Sequence, residues 1–334
     1  MKKFYLYCIC FSSPIWLMLI TYIIIDPFKI IYHYDNYYVV GDKAPINRSL
    51  VSTKNYINRN ETYHYDSFIF GNSRSMFYMI DDWKKHLEEK GNCYHFSESG
   101  GSVLGVYYKV NYIAEHGGRI ANALFIIDYE LLSTTEQTGA RAGIPPVFTG
   151  LLKSFNFFKD NLINWFDLRF LTKLMHYHLT RQYTSDMNDY LMEGSNYPYY
   201  NPITNEEPRH IQDSLIAIGK YFSDKTISNF DNVQHPDSIS PKAINSKRTK
   251  ILTKLKKILD DQKTNYKIVI SPQYDQIKIN PKDLTILRSI FGNENVYDFS
   301  GVNKWTNDYH NYYEPSHYLP KVAADIMDSI YEIK

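Results

Sequence analysis

The segment that decides the fold is a short apolar run that stops at a turn, Ser67-Phe68-Ile69-Phe70-Gly71-Asn72-Ser73. An uncharged run of this length is typical of a buried strand, and Gly71 and Asn72 are residues that favour a tight turn. A helical pattern over residues 76–90 follows, with Gly91 in the position of a C-terminal cap. The pattern therefore predicts a strand, a turn and a helix.

The same unit recurs on both sides of a central interruption. Further strands are predicted at 93–96, 123–127, 267–270 and 295–299, and further helices at 103–116, 242–262, 281–291 and 320–333. Apolar strands that alternate with helices form parallel sheets covered on both faces. The predicted fold class is α/β, a three-layer α/β/α sandwich around a five-stranded, parallel, doubly wound (flavodoxin-like) sheet.

The alternation is interrupted over residues 131–241. Clusters of Gly, Pro and Tyr there surround an aromatic-rich helical stretch at 151–179. Because the α/β pattern resumes afterwards, we interpret 131–241 as a mainly helical insertion in one domain that covers 64–334.

The N-terminus has the pattern of a membrane anchor. No charged residue lies between Lys3 and Asp26, and residues 4–25 would span roughly 33 Å as a helix, enough to cross a bilayer core. Two lysines precede the run and favour a cytoplasmic N-terminus. The alternative is a cleaved signal peptide, but the run ends without a small-residue cleavage site. We predict a cytoplasmic stub and transmembrane helix over 1–25, a stalk or lead-in over 26–63, and an exported domain beyond.

Composition excludes several classes of function. A formal net charge of +1 gives no basis for binding nucleic acid. The only cysteine beyond the anchor is Cys93, so the exported part cannot form an internal disulfide. His176 and His178 would point to different faces of a helix, which argues against a metal site. Neither a metal nor a cofactor is predicted.

Residues suited to acyl transfer follow the predicted strands. Ser73 follows the first strand, Gly100 and Gly101 follow the second, and Glu314 and His317 precede the last helix. A serine becomes a nucleophile when a histidine takes its proton and a carboxylate orients that histidine. Backbone N–H groups of Ser73 and of either glycine would form the oxyanion hole. The alternative for Ser73 is a turn residue that caps the next helix.

These blocks resemble, in order, those of the SGNH/GDSL hydrolases. The matching segments are Phe70-Gly71-Asn72-Ser73 for the Gly-Asp-Ser block, Gly100 or Gly101 for the second-block glycine, and Glu314-Pro315-Ser316-His317 for the terminal Asp-x-x-His. The resemblance covers roughly residues 65–130 and 243–333. It implies that Ser73 is the nucleophile, His317 the base and Glu314 the orienting acid.

Three features resemble a subgroup associated with bacterial cell-surface polysaccharides: the anchor, the large insertion and the Tyr-Tyr-Glu-x-x-His-Tyr ending at residues 312–318. Members of that subgroup resemble the alginate acetylation proteins and the D-alanyl transfer proteins of cell-wall polymers. This resemblance implies a membrane-tethered serine esterase or O-acyltransferase acting on an extracytoplasmic polysaccharide. It implies a single-pass protein of the bacterial inner (cytoplasmic) membrane, held through residues 4–25, with its C-terminal domain periplasmic or extracytoplasmic. The implied partners are a glycan substrate and a membrane-bound acyltransferase or polysaccharide export machinery.

Three residues depart from the family pattern. Asn72 and Glu314 each replace an Asp, and Asp128 ends the third strand where the family has an Asn that serves the oxyanion hole. An ionised carboxylate at that position would repel the oxyanion. Of these departures, Asp128 and Glu314 favour the alternative of a catalytically inactive, SGNH-like glycan-binding or assembly subunit.

Several polar residues near these blocks are candidates for substrate binding: Asn72, Arg74, Asp128, Asp308, His310 and Tyr313. Arg74 would either bind an anionic or carboxylated sugar or form a surface salt bridge. Asp308 and His310 are a rival acid–base pair to Glu314 and His317.

Overall fold

The centre of the molecule is a sheet of five parallel strands in the order β2-β1-β3-β4-β5. The computed structural model describes residues 2–39, 41–88, 91–134, 143–192 and 199–331. A separate two-stranded hairpin lies near the C-terminus. The strands are β1 (Ser67–Gly71), β2 (Cys93–Phe96), β3 (Asn122–Ile127), β4 (Asn265–Ile270), β5 (Val296–Asp298), β6 (Tyr312–Glu314) and β7 (His317–Tyr318). The predicted α/β class with a five-stranded parallel sheet is confirmed.

The described residues also form helices, some of which cover this sheet. They are α1 (Lys2–Ile25), α2 (Arg48–Tyr63), α3 (Ile80–Trp83), α4 (Val103–Glu115), α5 (Tyr129–Ser133), α6 (Leu151–Trp165), α7 (Leu168–Thr180), α8 (His210–Ala217), α9 (Asp224–Ile227), α10 (Ser246–Asp261), α11 (Pro281–Phe291) and α12 (Pro320–Tyr331). Short 3₁₀ turns include Ser73–Phe77, Lys84–His86 and Tyr309–Asn311.

Two apolar cores lie on opposite faces of the sheet because successive strand residues point to opposite sides. Phe68 and Phe70 of β1 pack into the core built with α4, α10 and α11. Ile69 of the same strand packs into the core built with α3 and α12. All three side chains are buried, and burial of such a side chain typically contributes about 1.5–3 kcal/mol. The strand order places the reversal of chain direction across the sheet between β1 and β3, which is where open α/β sheets bind ligands.

The helix predicted over 76–90 is wrong. The chain forms a 3₁₀ turn over Ser73–Phe77, then α3, then a second turn over Lys84–His86, and residues 89–90 before the predicted cap at Gly91 lie outside the described residues. Met76, Phe77 and Tyr78 are all buried. Consecutive helical residues point about 100° apart, so a regular helix would turn one of these three towards water.

The segment 26–63, predicted as a stalk or lead-in, is packed on the domain. Its helix α2 contacts β2, and Tyr56 lies in the core beside Phe96. Asp26 is 1% exposed and accepts hydrogen bonds from the backbone N–H groups of Ile30 and Ile31 at 2.8 and 3.0 Å. A free stalk would leave these groups in water, so this segment belongs to the folded domain.

The predicted insertion 131–241 contributes α6, α7, α8 and α9 between β3 and β4. The pattern over 151–179 forms two helices, because Asp167 caps α7 by accepting from the N–H of Arg169 at 2.9 Å. Trp165 of α6 donates to the backbone oxygen of Met18 at 2.9 Å, so α6 packs on the C-terminal half of α1. Within the described ranges, none of the helices combines the length and the apolarity that crossing a bilayer requires.

Candidate active site

Ser73 stands where β1 ends at the carboxyl edge of the sheet. A Cβ at Gly71 would lie 2.7 Å from the backbone oxygen of Ile126, so glycine permits the close approach of β1 and β3. Asn72 accepts a hydrogen bond from the N–H of Arg74 at 3.0 Å and starts the 3₁₀ turn. Asn72 and Arg74 are buried, whereas Ser73 is partly exposed. The turn therefore leaves the Ser73 side chain partly exposed and buries the residues on either side of it.

A histidine and a carboxylate continue from this serine. Nε2 of His317 lies 2.8 Å from Oγ of Ser73, and Nδ1 of His317 forms a hydrogen bond with Oε1 of Glu314. The hairpin of β6 and β7 pairs Glu314 with His317 directly across the two strands. Side chains opposite each other in an antiparallel pair lie close together, so the glutamate reaches the imidazole. The structure brings together the three residues predicted as nucleophile, base and acid.

The protonation of this chain of residues suits proton transfer. Burial lowers the pKa of His317 below its ordinary value, although hydrogen bonding to Glu314 opposes part of the shift. Burial acts to raise the pKa of Glu314, but the hydrogen bond with His317 and the charge of Arg209 outweigh it and hold this pKa below its ordinary value. At neutral pH the imidazole is therefore uncharged, as a general base must be.

Arg209 is a site residue that the sequence did not indicate. Its NH1 lies 3.4 Å from Oε2 of Glu314, and its guanidinium lies 4.9 Å from the ring centre of Tyr313. Tyr313 is buried and its hydroxyl donates to Asp213 of α8. The insertion therefore supports the acid of the triad with a cation from the segment just before α8. A single arginine 105 residues before its partner carries no local sequence signal.

The negative charge of Asp128 is balanced by hydrogen bonds and an ion pair with its neighbours. It is 1% exposed, and its Oδ2 accepts hydrogen bonds from Asn72 Nδ2 at 2.6 Å and from Arg74 NH1 at 2.9 Å. Its Oδ1 accepts from the N–H of Leu131 at 2.8 Å and caps α5. Arg74 NH1 also lies 2.9 Å from Glu130 Oε2. Asn72, Arg74 and Asp128, all candidates for substrate binding, thus contact one another. Arg74 forms a salt bridge, as its alternative interpretation had it, but the pair with Asp128 is buried and not at the surface.

The two candidate glycines follow β2, the neighbour of β1. Gly100 has a φ of +63°, which favours glycine, and a Cβ at Gly101 would lie 2.2 Å from Oε1 of Glu98. Glu98 is buried, and its Oε2 accepts from Ser49 Oγ at 2.8 Å and from Lys109 Nζ at 2.7 Å. The glycine turn thus packs on a buried ion pair that the sequence analysis missed. Its sequence signal is an acidic residue two positions after β2.

The rival acid–base pair lies in an exposed turn. Nδ1 of His310 is 2.8 Å from Oδ1 of Asp308, and both side chains are 52% exposed. The ring of His310 stacks on Tyr309 with 4.1 Å between centres. In the described part of the chain, the histidine that contacts Ser73 is His317.

Because comparison with known proteins identifies no family, the class of this protein is inferred from the geometry of its fold and site. No family model matches the sequence, and no curated protein matches it significantly. The fold and the site define an α/β protein whose parallel sheet carries a Ser-His-Glu hydrogen-bonded chain, Ser73–His317–Glu314, beside its carboxyl edge.

Proposed function

We propose that the protein is a membrane-tethered, SGNH-like serine esterase or O-acyltransferase that acts on acetyl or similar small acyl esters of an extracytoplasmic polysaccharide. The observation that carries the proposal is the contact of Ser73 Oγ with His317 Nε2 at 2.8 Å, with Glu314 on the other ring nitrogen. The parallel sheet supports it, because its strand order puts the end of β1 at a ligand-binding switch point.

The reaction needs only protein groups. Oγ of Ser73 attacks the ester carbonyl while Nε2 of His317 takes the hydroxyl proton. The tetrahedral intermediate collapses, the C–O bond to the sugar breaks, and His317 returns the proton to the departing sugar oxygen. Water or a second sugar hydroxyl then attacks the acyl-enzyme by the same route, which gives hydrolysis or transfer. Glu314 keeps Nδ1 protonated and stabilises the imidazolium.

Backbone groups would stabilise the oxyanion. The proposed donors are the N–H of Ser73 and that of Gly100 or Gly101, and each such donor typically contributes about 3–4 kcal/mol to transition-state stabilisation. The salt bridge of Arg74 with Asp128 supports this proposal, since it balances the carboxylate that would otherwise oppose the oxyanion.

The tether is part of the proposal. Helix α1 is 24 residues long and exposes large apolar side chains, among them Phe11 at 88% and Ile24 at 70%. Because α6 packs on the C-terminal half of α1, an anchor formed by α1 would hold the domain close to the bilayer. This position suits an enzyme that meets a polysaccharide as it leaves the inner membrane, beside export machinery or a membrane-bound acyltransferase.

Fluorophosphonate labelling of the full-length protein in detergent micelles tests the site. We expect the wild type to be labelled, Ser73→Ala to lose all label and His317→Ala to lose most of it. Ser289→Ala, at an exposed serine of α11, is the matched control and should label like the wild type. Acetate release from acetylated polysaccharides should follow the same order. An unlabelled wild type that releases no acetate would refute the proposal.

The second candidate is an inactive, SGNH-like glycan-binding or assembly subunit. The position of Asp128 favours it, because a carboxylate follows β3 where an amide would assist the oxyanion hole, and Asn72 Nδ2 is engaged by that carboxylate. Under this alternative, cells carrying Ser73→Ala would retain normal acetylation of their surface polymer. Loss of acetylation in that strain would eliminate the alternative.

A further inference from the structure

A cavity of about 300 Å³ lies beside the proposed active site, at the carboxyl ends of β3, β4 and β5. Asp128, Ser271 and Ser300 line it just beyond the three strands, and Arg74 lines the side nearest β1. None of the three triad residues is among its lining residues in the described chain. The cavity is therefore a separate space from the site at which the acyl group would react.

Two short links join the cavity to the triad. Arg74 is the residue after Ser73, so its guanidinium and the nucleophile leave the same turn. On the other side, Oγ of Ser271 lies 3.3 Å from the hydroxyl of Tyr318, the residue after His317. A ligand in the cavity would thus contact Arg74, from the turn that carries the nucleophile, and Ser271, which contacts the residue after the base.

The charges around the cavity disfavour an anionic ligand. Among the lining residues that the structure describes, the only cation is Arg74, whose NH1 is shared between the carboxylates of Asp128 and Glu130 at 2.9 Å each. A third carboxyl group, that of Asp275, also lines the space. A ligand carboxylate would meet more negative than positive charge at short range, where such interactions are strong.

One lining residue, Arg74, has a buried donor without a partner in the described part of the chain. Arg74 is 7% exposed, and its Nε has no hydrogen-bond partner among the residues that the structure describes. An unpaired buried donor costs roughly 1–3 kcal/mol, and an acceptor supplied by a ligand would relieve it if a shift of the Arg74 side chain exposed Nε to the cavity. A hydroxyl oxygen can accept this bond without bringing a negative charge towards Asp128.

The rest of the lining suits a ring with both hydroxyl and C–H surfaces. Ser238, Gln273 and Ser300 supply polar groups, while Ile239 and Ile277 supply apolar surface. The volume is at the lower end of the roughly 300–1,000 Å³ that is usual for small-molecule sites, which is room for a single sugar unit rather than a long chain.

We propose that this cavity binds one uncharged sugar unit of the glycan, adjacent to the unit whose hydroxyl carries or receives the acyl group, and that it discriminates against uronic acids. The placement beside an acyl-enzyme rests on the proposed function. Binding of the sugar does not, because it needs neither Ser73 nor His317. This proposal gives Arg74 a role opposite to the binding of an anionic sugar.

The test measures binding of methyl β-glucoside and methyl β-glucuronide to the full-length protein in detergent micelles by saturation-transfer NMR. We expect the wild type and Ser73→Ala to bind the glucoside and to bind the glucuronide more weakly. Ile239→Trp should fill the cavity and weaken glucoside binding by about tenfold or more, equivalent to about 1.4 kcal/mol. Ile218→Trp is the matched control, since Ile218 is 63% exposed outside the cavity and Ile239 is 55% exposed in its wall.

Two results would overturn the inference: glucoside binding unchanged in Ile239→Trp, or glucuronide bound as well as glucoside. Ser238→Trp, at a second exposed position of the wall, replaces Ile239→Trp if that variant fails to fold. Fluorophosphonate labelling of the same samples separates the two proposals. If the wild type binds glucoside in the cavity but is not labelled, the sugar-site proposal stands and the esterase proposal fails. If it is labelled but shows no cavity-dependent binding, only the esterase proposal stands.

Discussion

The buried ion pair of Arg74 and Asp128 should be essential to stability, and Arg74→Met tests this. The substitution keeps much of the side-chain volume and removes the cation. It leaves Asp128, which is 1% exposed, with hydrogen bonds from Asn72 and Leu131 but with no opposite charge at 2.9 Å. Glu130, the other partner of Arg74, has a side chain that is 55% exposed and is free to turn towards water.

The expected magnitude follows from the distance and the burial. Two unit charges 2.9 Å apart attract by about 6 kcal/mol at an effective dielectric constant of about 20. Removal of one partner from a buried pair typically costs about 3–5 kcal/mol, because the remaining charge stays buried. The exposed pair with Glu130 adds little, since solvent screens it. We therefore expect Arg74→Met to lower the free energy of unfolding by about 3–5 kcal/mol.

Urea unfolding of the full-length protein in micelles, followed by tryptophan fluorescence, measures the loss, since Trp83 and Trp305 are buried. The double variant Arg74→Met/Asp128→Ser should be more stable than Arg74→Met alone, because serine can still cap α5 and carries no charge. Arg169→Met is the matched control: its partner Asp167 is also an aspartate, but the arginine side chain is 74% exposed, and no measurable change is expected.

Two outcomes would refute this reasoning. The first is a loss of less than about 1 kcal/mol in Arg74→Met, the range of exposed pairs. The second is a double variant no more stable than Arg74→Met. Either would mean that Asp128 does not depend on Arg74 for its charge balance.

Four further outcomes are expected. Glu314→Gln should lower kcat for ester hydrolysis by up to about 10⁴-fold in initial-rate assays, since the histidine loses its orienting charge, and a loss below about tenfold would contradict the triad. Arg209→Met should raise the pKa of His317 and move the acidic limb of the kcat/KM–pH profile to higher pH; movement to lower pH would contradict this. Burial lowers the pKa of His95 to about 3. Below about pH 6.5 the unfolded chain therefore binds a proton that the folded chain does not, and stability should fall on acidification by up to about 1.4 kcal/mol per pH unit. His95→Gln should flatten that slope in urea titrations from pH 7 to pH 4, and an unchanged slope would assign it to other groups. Gly101→Ala should reduce stability and hydrolysis together, because its Cβ would lie 2.2 Å from Oε1 of Glu98. Gly150→Ala should reduce neither, because no atom would lie within 4 Å of its Cβ. Equal effects of the two substitutions would exclude the packing explanation.

The five strands of the parallel sheet could be predicted because the signal for each is local. Every predicted strand overlaps an observed one within about two residues, as an uninterrupted apolar run needs two covered faces wherever it occurs. The regular helix predicted over 76–90 is not formed because its buried side chains pack into one core, beside the hairpin, from consecutive positions rather than from one helical face. The packing of segment 26–63 on the domain could not be predicted for a related reason: its many polar residues are buried with specific partners, as Asp26 is, and composition does not reveal partners.

The sequence by itself determined the α/β class and the candidates Ser73, Glu314 and His317, because each lies in a short block next to a strand or helix boundary. Only the tertiary structure decided which histidine meets Ser73, how Asp128 is neutralised, and that Arg209 reaches Glu314. These contacts join residues between 54 and 244 positions apart. The physical reason is that periodicity and turn chemistry act over a few residues, whereas the charge and orientation of a site depend on groups that only the packed chain brings together.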